Sequence, residues 1–340
     1  MKKLGVMIVG PGWVAGQHIL SFLGNNECEI RVIAGVLPED EARARGYMEQ
    51  YSFQCDFTDD YESALKRDDV DVVAVCTINH LHFSQSLAAI EAGKHVLVEK
   101  PLCFDQKEAR LLVDACLRQG VKSHVGHVVR FYPAITGLHN FLRRGGIGEI
   151  YYCESDYWHE IIGPWKVRNE TGGSALLMGG CHAVDMVRWI LGEENPISEV
   201  FAYSTPARRR LDFEYDPTIS LIMKYENGSI GRVSTSLESN MPYVFHLQAN
   251  GTEGTIRNNG ISSEWFPGTK TFMEIPAVYP DDWDVSHHPF PQEVDYFVSC
   301  IKGDVESDLS IPRAAKTYEV IFAAELSARE GRPVKLPLSV

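Results

Sequence analysis

An apolar run followed at once by a glycine turn and a helical pattern is the feature that most constrains the fold. Leu4 to Val9 reads LGVMIV, a run of the kind that is buried in parallel sheets. The next residues, GPGWVAG, match the spacing G-x-G-x-x-A. Gly10 permits a tight turn, Gly12 leaves room for an anion against the backbone, and Ala15 allows close helix–strand packing. The sequence therefore predicts a strand–turn–helix unit that binds a dinucleotide.

The end of the second strand bears on the choice between NAD and NADP. Residues 30–36 read IRVIAGV, and such a strand commonly ends in an acid for the ribose hydroxyl or a base for a 2′-phosphate. Leu37 occupies this place, with acidic residues at 39–41 and arginines further on. The acidic stretch favours NAD and leaves NADP open. The predicted cofactor contacts in these two segments are Gly10, Gly12, Trp13, Val14 and Leu37.

The pattern of elements changes along the chain. Strands and helices alternate through about residue 124, which predicts a parallel sheet with helices on its faces. Alternating apolar runs then predict an antiparallel sheet; they lie at 149–161, 197–204, 220–225, 229–236 and 245–249. We therefore predict an α/β chain with a dinucleotide-binding domain over 1–124 and an α+β substrate domain over 125–340. An antiparallel sheet commonly leaves one face to cover, which favours a homodimer or homotetramer.

Composition and cysteine usage exclude several classes of function. A net charge of −14 argues against nucleic acid and anionic lipid as partners. The sequence lacks a run of about 18 apolar residues, so we expect no membrane span. The eight cysteines are scattered and form no Cys-x-x-Cys pair. This usage predicts reduced thiols in a cytoplasmic protein without a metal site.

A lysine stands at the end of another apolar run. His95 to Val98 reads as a short buried strand, and Glu99-Lys100-Pro101 follows it. The carboxyl ends of parallel strands are where open α/β sheets bind their ligands. A partly desolvated lysine at this position can handle protons. The alternative is an exposed Glu–Lys pair at the end of a strand.

Together these motifs resemble the Gfo/Idh/MocA oxidoreductases, which include glucose-fructose oxidoreductase and inositol dehydrogenase. The stretches that carry the resemblance span nearly the whole chain: GPGWVA at 10–15, TINHLH at 77–82, GKHVLVEKP at 93–101, GHVVRF at 126–131, GGS at 172–174, GCHAVD at 180–185 and SAREGRPV at 327–334. The resemblance implies a Rossmann domain, NAD or NADP, and oxidation of a ring hydroxyl of a sugar, sugar derivative or inositol.

The resemblance also implies roles for individual residues. His182 corresponds to the base that takes the hydroxyl proton, and Lys100 to the donor that steadies the alkoxide. Asp185 would contact substrate hydroxyls, and Glu99 would reach the nicotinamide ribose. Further contacts with the dinucleotide are expected from Thr77, Asn79 and His82. The candidates for the substrate wall are Arg130, Tyr157, His159, Trp165 and Arg168.

Two positions depart from the family pattern. Ile78 stands where a proline is common, and Met178 stands where many members carry an aspartate one helical turn before the catalytic histidine. Methionine cannot hold an imidazole by a hydrogen bond, and Asp185 is a candidate replacement. The departure at Met178 keeps open a redox-neutral enzyme with tightly held NAD, which cleaves or epimerises a sugar through a keto intermediate. A non-catalytic, nucleotide-sensing regulator is the third hypothesis.

Overall fold

The computed structural model describes residues 2–161, 163–276 and 287–339. Its contacts divide the chain into two units, Met1–His127 with Pro289–Lys316 and Val128–His288 with Thr317–Val340. The first break lies close to the boundary drawn on the sequence at residue 124. The segment 289–316 returns to the first unit, whereas the sequence-based division places it with the second.

The helices and strands have the following bounds in chain order. The helices are α1 (Trp13–Gly24), α2 (Asp40–Gln50), α3 (Tyr61–Leu65), α4 (His82–Glu91), α5 (Gln106–Gln119), α6 (Pro133–Arg143), α7 (Cys181–Leu191), α8 (Phe290–Lys302) and α9 (Ile311–Glu330). The strands are β1 (Leu4–Val9), β2 (Cys28–Ala34), β3 (Asp56–Thr58), β4 (Val72–Val75), β5 (His95–Val98), β6 (Ser123–Val125), β7 (Ile150–Trp158), β8 (Ile197–Thr205), β9 (Thr218–Tyr225), β10 (Ile230–Ser236), β11 (Val244–Gly251), β12 (Gly254–Arg257), β13 (Gly260–Ser263), β14 (Met273–Glu274) and β15 (Val334–Lys335).

The first unit contains a parallel sheet with the strand order β3-β2-β1-β4-β5-β6 across its described residues. This is the doubly wound order. The strand order reverses between β1 and β4, and a ligand crevice forms there at the carboxyl ends of the strands. Val9 pairs with Val75, and Val75 pairs with Val98, so the three strands end at one edge. The predicted Rossmann domain is confirmed.

Helix α8 explains why residues 289–316 belong to the first unit. Val294, Phe297 and Val298 on this helix are buried in the same apolar core as Ile19 of α1 and Val6 of β1. An amphipathic pattern predicts that a helix buries one face, but it does not say against which core. The sequence-based division could therefore not place this segment.

The second unit contains a larger sheet with the strand order β14-β13-β12-β11-β7-β10-β9-β8-β15 across the described part of the chain. β7 and β10 run parallel, and the other pairs are antiparallel. Gly228 adopts a φ of 88° in the Asn227-Gly228 turn between β9 and β10, as the hairpin signal predicts. The prediction of a mostly antiparallel sheet is confirmed.

The two faces of this sheet differ in their surroundings. Helix α7 packs on β7 and β10 and covers the face that carries Leu221 and Val233. On the opposite face Tyr203, Ile222 and Ile230 are 67%, 52% and 44% exposed. We call this second surface the open face. In the described residues no helix has the length and apolar character needed to cross a membrane.

Candidate active site

The glycine turn after β1 is shaped to receive a pyrophosphate. Gly10 has a φ of 76°, and a Cβ there would lie 2.4 Å from Thr77 Cγ2, so only glycine fits. A Cβ on Gly12 would meet no atom within 4 Å, which leaves open space above the backbone. Helix α1 begins next and has neither a side-chain N-cap hydrogen bond nor an acid in its first turn. Its first N–H groups can therefore face an anion.

The loop after β2 presents an apolar tip. Leu37 is 41% exposed, and the Asp40 carboxylate accepts the N–H groups of Val36 and Leu37 at 2.8 and 2.9 Å. Arg43 in turn donates to Asp40 and Glu39, both at 3.2 Å. The acid nearest to the tip thus holds the loop, and the nearest arginine is paired with acids.

His82 joins the ends of two strands. Its Nδ1 lies 2.7 Å from the carbonyl oxygen of Pro101, after β5, and its Nε2 lies 3.0 Å from that of Thr77, after β4. Burial lowers the pKa of His82, although these carbonyls favour the charged form. Since both nitrogens face backbone oxygens, His82 connects the segments that follow β4 and β5, and its predicted contact with the dinucleotide stays a prediction.

Thr77 and Asn79 also lie in the segment after β4. The Thr77 hydroxyl donates to Gln85 Oε1 at 2.6 Å, and its methyl group lies against the Gly10 turn. Asn79 is buried in the short 3₁₀ turn that precedes α4. The structure thus brings Thr77 to the glycine turn, and its contact with the dinucleotide stays a prediction.

Glu99 and Lys100 follow β5 at the same edge of the sheet. Glu99 is 7% exposed, and its Oε1 lies 2.7 Å from His18 Nε2 on α1. Its other oxygen accepts the backbone N–H of Lys100 at 3.2 Å. Lys100 is half-buried. The Glu99 carboxylate therefore connects His18 of α1 with the backbone of Lys100.

His182 is the second residue of α7 in the second unit and is 3% exposed. A π-helical turn, Leu176–Gly180, precedes it. A Cβ on Gly179 would lie 2.4 Å from the Tyr157 ring, and one on Gly180 would lie 2.9 Å from Thr235 Cγ2. The two glycines therefore let this turn approach the sheet closely and bring His182 beside Tyr157.

Aromatic and imidazole rings surround His182. The Tyr157 ring stacks with His182 at a centroid distance of 6.0 Å and an interplanar angle of 25°. Tyr243 lies 5.2 Å from Tyr157 and 5.4 Å from His159. We call this set the ring cluster; its members are Tyr132, Tyr157, His159, His182, Tyr243, His287 and His288.

The ring cluster unites some predicted residues with others that sequence reasoning missed. Tyr157, His159 and His182 were predicted, whereas Tyr132 and Tyr243 were not. Tyr243 precedes β11, and no motif in the sequence marks either tyrosine. Burial raises the pKa of Tyr157, so its hydroxyl stays protonated near neutral pH.

Asp185 and Arg130 form a buried, bidentate ion pair in the second unit. Arg130 Nε and Nη2 donate to the two Asp185 oxygens at 2.6 and 2.7 Å, and Nη2 also donates to Glu193 at 3.0 Å. Burial lowers the pKa of Arg130, but the two carboxylates outweigh it and the net direction is upward. Thr317 adds a hydrogen bond to Asp185 Oδ1 at 3.2 Å. Both oxygens of Asp185 thus accept hydrogen bonds from protein groups.

The other two candidates for the substrate wall, Trp165 and Arg168, lie on the loop between β7 and the π-helical turn. Arg168 donates to Glu214 at 2.7 Å, and the Glu214 backbone N–H donates to the carbonyl of Val167 at 2.9 Å. Trp165 has the Lys166 ammonium 5.6 Å from its ring centroid. The structure therefore ties Arg168 to the loop before β9.

Two positions relevant to the chemistry carry no charge. Met178 is buried in the π-helical turn, and its backbone N–H donates to the Ser174 carbonyl at 2.9 Å. Cys181 is a buried cysteine outside any disulfide. Across the described residues, no group of three His, Cys, Asp or Glu side chains is arranged to hold a metal ion.

Comparison with known proteins agrees with this geometry. Residues 4–127 match the model of the oxidoreductase family with an NAD-binding Rossmann fold, and residues 136–257 match the GFO/IDH/MocA C-terminal domain. Levoglucosan dehydrogenase of Pseudarthrobacter phenanthrenivorans is 25% identical over 75% of this chain and 73% of its own. D-apiose dehydrogenase of Paraburkholderia graminis is 24% identical over 99% of this chain and 90% of its own.

The solved structure of levoglucosan dehydrogenase with NADH and levoglucosan shares this fold. Its TM-score is 0.86 at 23% identity, over 99% of this chain and 100% of that one. The two matched domain models belong to one family and together cover most of the chain. The chain therefore belongs to the GFO/IDH/MocA family and is an NAD(P)-dependent oxidoreductase.

Proposed function

We propose that this enzyme oxidises a ring hydroxyl of a sugar, a sugar derivative or an inositol. The observation that carries the proposal is the position of His182, a buried imidazole inside a cluster of tyrosine and histidine rings. Aromatic faces suit the apolar face of a sugar ring, while phenol and imidazole groups suit its hydroxyls. Relatives named for levoglucosan and D-apiose support the same class of substrate.

The chain's own residues would handle the proton and the developing charge. His182 takes the hydroxyl proton, because imidazole can accept a proton near neutral pH. The Lys100 ammonium supports the oxyanion. The open space over Gly12 and the uncapped start of α1 hold the pyrophosphate. When bound, the nicotinamide supplies the hydride acceptor.

The remaining site residues are likewise divided between the cofactor and the substrate. Glu99 serves the nicotinamide ribose, and Asp185 serves substrate hydroxyls together with its partner Arg130. Trp165 and Arg168 stay predictions for the outer part of the substrate wall. If Asp185 also helps to orient His182 in place of the missing aspartate, Asp185→Asn must alter the pH–rate profile, and an unchanged profile excludes that role.

A panel assay tests the proposed function directly. Purified protein is mixed with NAD or NADP and with inositols, aldoses, sugar acids or glycosides, and nicotinamide absorbance is followed. We expect reduction of the cofactor with members of one substrate class. A flat trace over the whole panel, despite bound cofactor, contradicts a net dehydrogenase.

The buried Met178 favours one second candidate, a redox-neutral enzyme. Because Met178 replaces the aspartate that many members carry one turn before His182, we keep a reversible oxidation of the sugar as the second candidate. Conversion of a glycoside or an epimer without net NADH, by protein purified with NAD, would support this candidate. A Lys100→Ala variant that loses no measurable function would instead support a nucleotide-sensing regulator.

The loop after β2 leads us to expect a preference for NAD over NADP. The Asp40 charge lies at the apolar tip, and Arg43 is paired with acids, so a 2′-phosphate meets no unpaired cation among the contacts described for this loop. Leu37→Arg should raise kcat/KM for NADP by about tenfold, because a guanidinium pairs with phosphate. Steady-state kinetics with both cofactors check this.

A matched control for the cofactor prediction is Leu20→Arg, which adds the same charge at an exposed position of α1. We expect this control to leave the ratio of kcat/KM for the two cofactors unchanged. A wild-type enzyme that prefers NADP contradicts the prediction, as does a Leu37→Arg variant with an unaltered ratio.

We further propose that the open face of the large sheet packs against a second copy of the chain. Phe201 pairs with Ile222, and Ile222 pairs with Arg232, so these side chains share that face. Exposed Tyr203 and Ile230 extend the apolar surface. Contiguous exposed apolar surface of this kind marks interaction sites.

Ile222→Glu is therefore expected to shift the protein from a homo-oligomer to a smaller species. A carboxylate would face the partner copy, and its desolvation opposes association. Light scattering coupled to gel filtration measures the mass. The control is Leu117→Glu, an exposed leucine on α5, which should keep the wild-type mass. A monomeric wild type contradicts the proposal.

A further inference from the structure

A histidine inside the Rossmann unit contacts the carboxylate beside the candidate lysine. His18 lies on α1 and is fully buried, with its Nε2 2.7 Å from Glu99 Oε1. Its ring packs edge-on against Phe290 at 5.2 Å. The second Glu99 oxygen accepts the Lys100 backbone N–H. One buried carboxylate thus links the first helix to the residue proposed to support the oxyanion.

The charge on Glu99 depends on this contact. Burial by itself raises the pKa of the Glu99 carboxyl, but the hydrogen bond and charge of His18, together with the charges of Lys100 and His82, outweigh it, and the net direction is downward. Gly126 leaves the space that the carboxylate occupies, since a Cβ there would lie 3.3 Å from it. Removing the imidazole would leave a buried carboxylate with weaker compensation.

The pKa of a second buried acid nearby is shifted in the opposite direction. Glu293 on α8 is fully buried, with Oε1 3.3 Å from His124 Nε2. Burial raises its pKa well above the usual range, and the charge of Glu99 raises it further. Burial therefore disfavours the charged form of Glu293, whereas the contacts of Glu99 favour the charged form of that carboxyl. The charged and titratable groups that face Glu99 are His18, Cys76, His82, Lys100 and Glu293.

We propose that His18 is a positioning residue of the active site, which holds the Glu99 carboxylate ionised and fixed against the Lys100 backbone. The inference rests on the proposed function, because it takes Glu99 and Lys100 as the residues that serve cofactor and substrate. His18 itself is buried behind them and acts only through Glu99.

Two substitutions separate the hydrogen bond from the packing of the ring. His18→Leu keeps apolar volume and removes the donor, whereas His18→Gln places an amide N–H at similar reach. We expect His18→Leu to lower kcat/KM by about 10-fold to 100-fold, because a hydrogen bond to a charged group is lost. His18→Gln should recover most of this loss. Ser21→Ala, a buried change on the same helix, is the control and should keep wild-type kinetics.

The affinity for NADH provides a readout that does not depend on turnover. In the wild type, Glu99 stays ionised across the neutral range, so this carboxyl adds no pH dependence to NADH binding. In His18→Leu the pKa of Glu99 rises, so NADH affinity should change as the pH falls and Glu99 becomes protonated. Fluorescence titration of NADH at several pH values measures this. This titration gives a result even if no substrate in the panel is oxidised. A failure of the inference about His18 can therefore be told apart from a failure of the proposed function.

Three outcomes overturn the inference. One is a folded His18→Leu variant with wild-type kcat/KM and a pH profile of NADH affinity like that of the wild type. Another is a His18→Gln variant as impaired as His18→Leu, which would make ring packing the important contribution. If His18→Leu does not fold, the double variant His18→Leu/Glu99→Gln removes the buried charge as well. It should fold and bind NADH like Glu99→Gln alone, and continued misfolding counts against the proposal.

Discussion

Replacing His182 with asparagine is expected to lower the turnover number by roughly 100-fold to 10,000-fold, the range typical of a lost general base. The imidazole is buried beside Tyr157, at the start of α7, where a substrate hydroxyl could hand over its proton. Asparagine remains polar but cannot accept that proton. Steady-state kinetics give the turnover, and NADH titration should show unchanged cofactor affinity, because His182 is not among the cofactor residues. A variant with nearly wild-type turnover excludes His182 as the base.

Lys100→Met tests the other residue proposed to act in the chemical step. It removes the ammonium at the end of β5 and should also lower turnover by roughly 100-fold or more. A matched control lies at the other end of this strand region, where Lys94 Nζ donates to the carbonyls of Arg67 and Val70 at 2.9 and 2.8 Å. Lys94→Met should lower stability and keep the turnover of the folded enzyme. Equal losses in both variants would indicate a structural effect.

The Rossmann part of the fold could be predicted because its signals are local. The predicted bounds of β5, His95–Val98, agree with the structure. Asp105 caps α5 by accepting the Glu108 N–H, and Gly120 ends it with a φ of 65°. Each of these stop and start signals is set by residues within a few positions of the helix end.

Helix α6 was not predicted because tertiary packing, rather than local signals, forms it. Its N-cap residue, Tyr132, does not cap the helix with a side-chain hydrogen bond, and the sequence PAITGLHNFLR contains a glycine and two β-branched residues. Ile135, Leu138 and Leu142 are buried along one face of the helix. Burial of such a face supplies most of the stability of a short helix.

The candidate site was only partly predictable for a related reason. Motifs identified His182 and Lys100, since glycines and charged residues at fixed spacings mark them. Tyr243 and Tyr132 carry no motif, and distant segments bring them to Tyr157 and His288. The position of His82 likewise depends on two carbonyl groups from different strand ends. Contacts between distant segments cannot be read from spacing along one chain.

Asp185→Asn is expected to destabilise the second unit by about 3–5 kcal/mol, the usual cost of breaking a buried ion pair. Arg130 and Asp185 are both nearly inaccessible to solvent, and two hydrogen bonds of 2.6 and 2.7 Å join them. After the substitution Arg130 keeps Glu193 as a charged partner but faces a neutral amide at its main contact. Urea denaturation measures the free energy of unfolding.

Arg168→Met is the control for this prediction, because it breaks an arginine–carboxylate pair of similar length at the surface. Arg168 and Glu214 are 51% and 41% exposed and 2.7 Å apart, so water and salt screen their attraction. We expect little change in the free energy of unfolding. If the two variants lose similar stability, burial does not decide the contribution of the Arg130–Asp185 pair.

A double variant separates the cost of an unpaired charge from the contribution of the pair. In Arg130→Met/Asp185→Leu both charges are gone, so the double variant should be more stable than either single variant, although Glu193 loses its partner as well. Both residues were also proposed to contact the substrate, and the double variant separates this role from their contribution to stability. It should regain stability without regaining kcat/KM if the pair serves the substrate. Recovery of both quantities would mean that Arg130 and Asp185 act only by holding α7 in place.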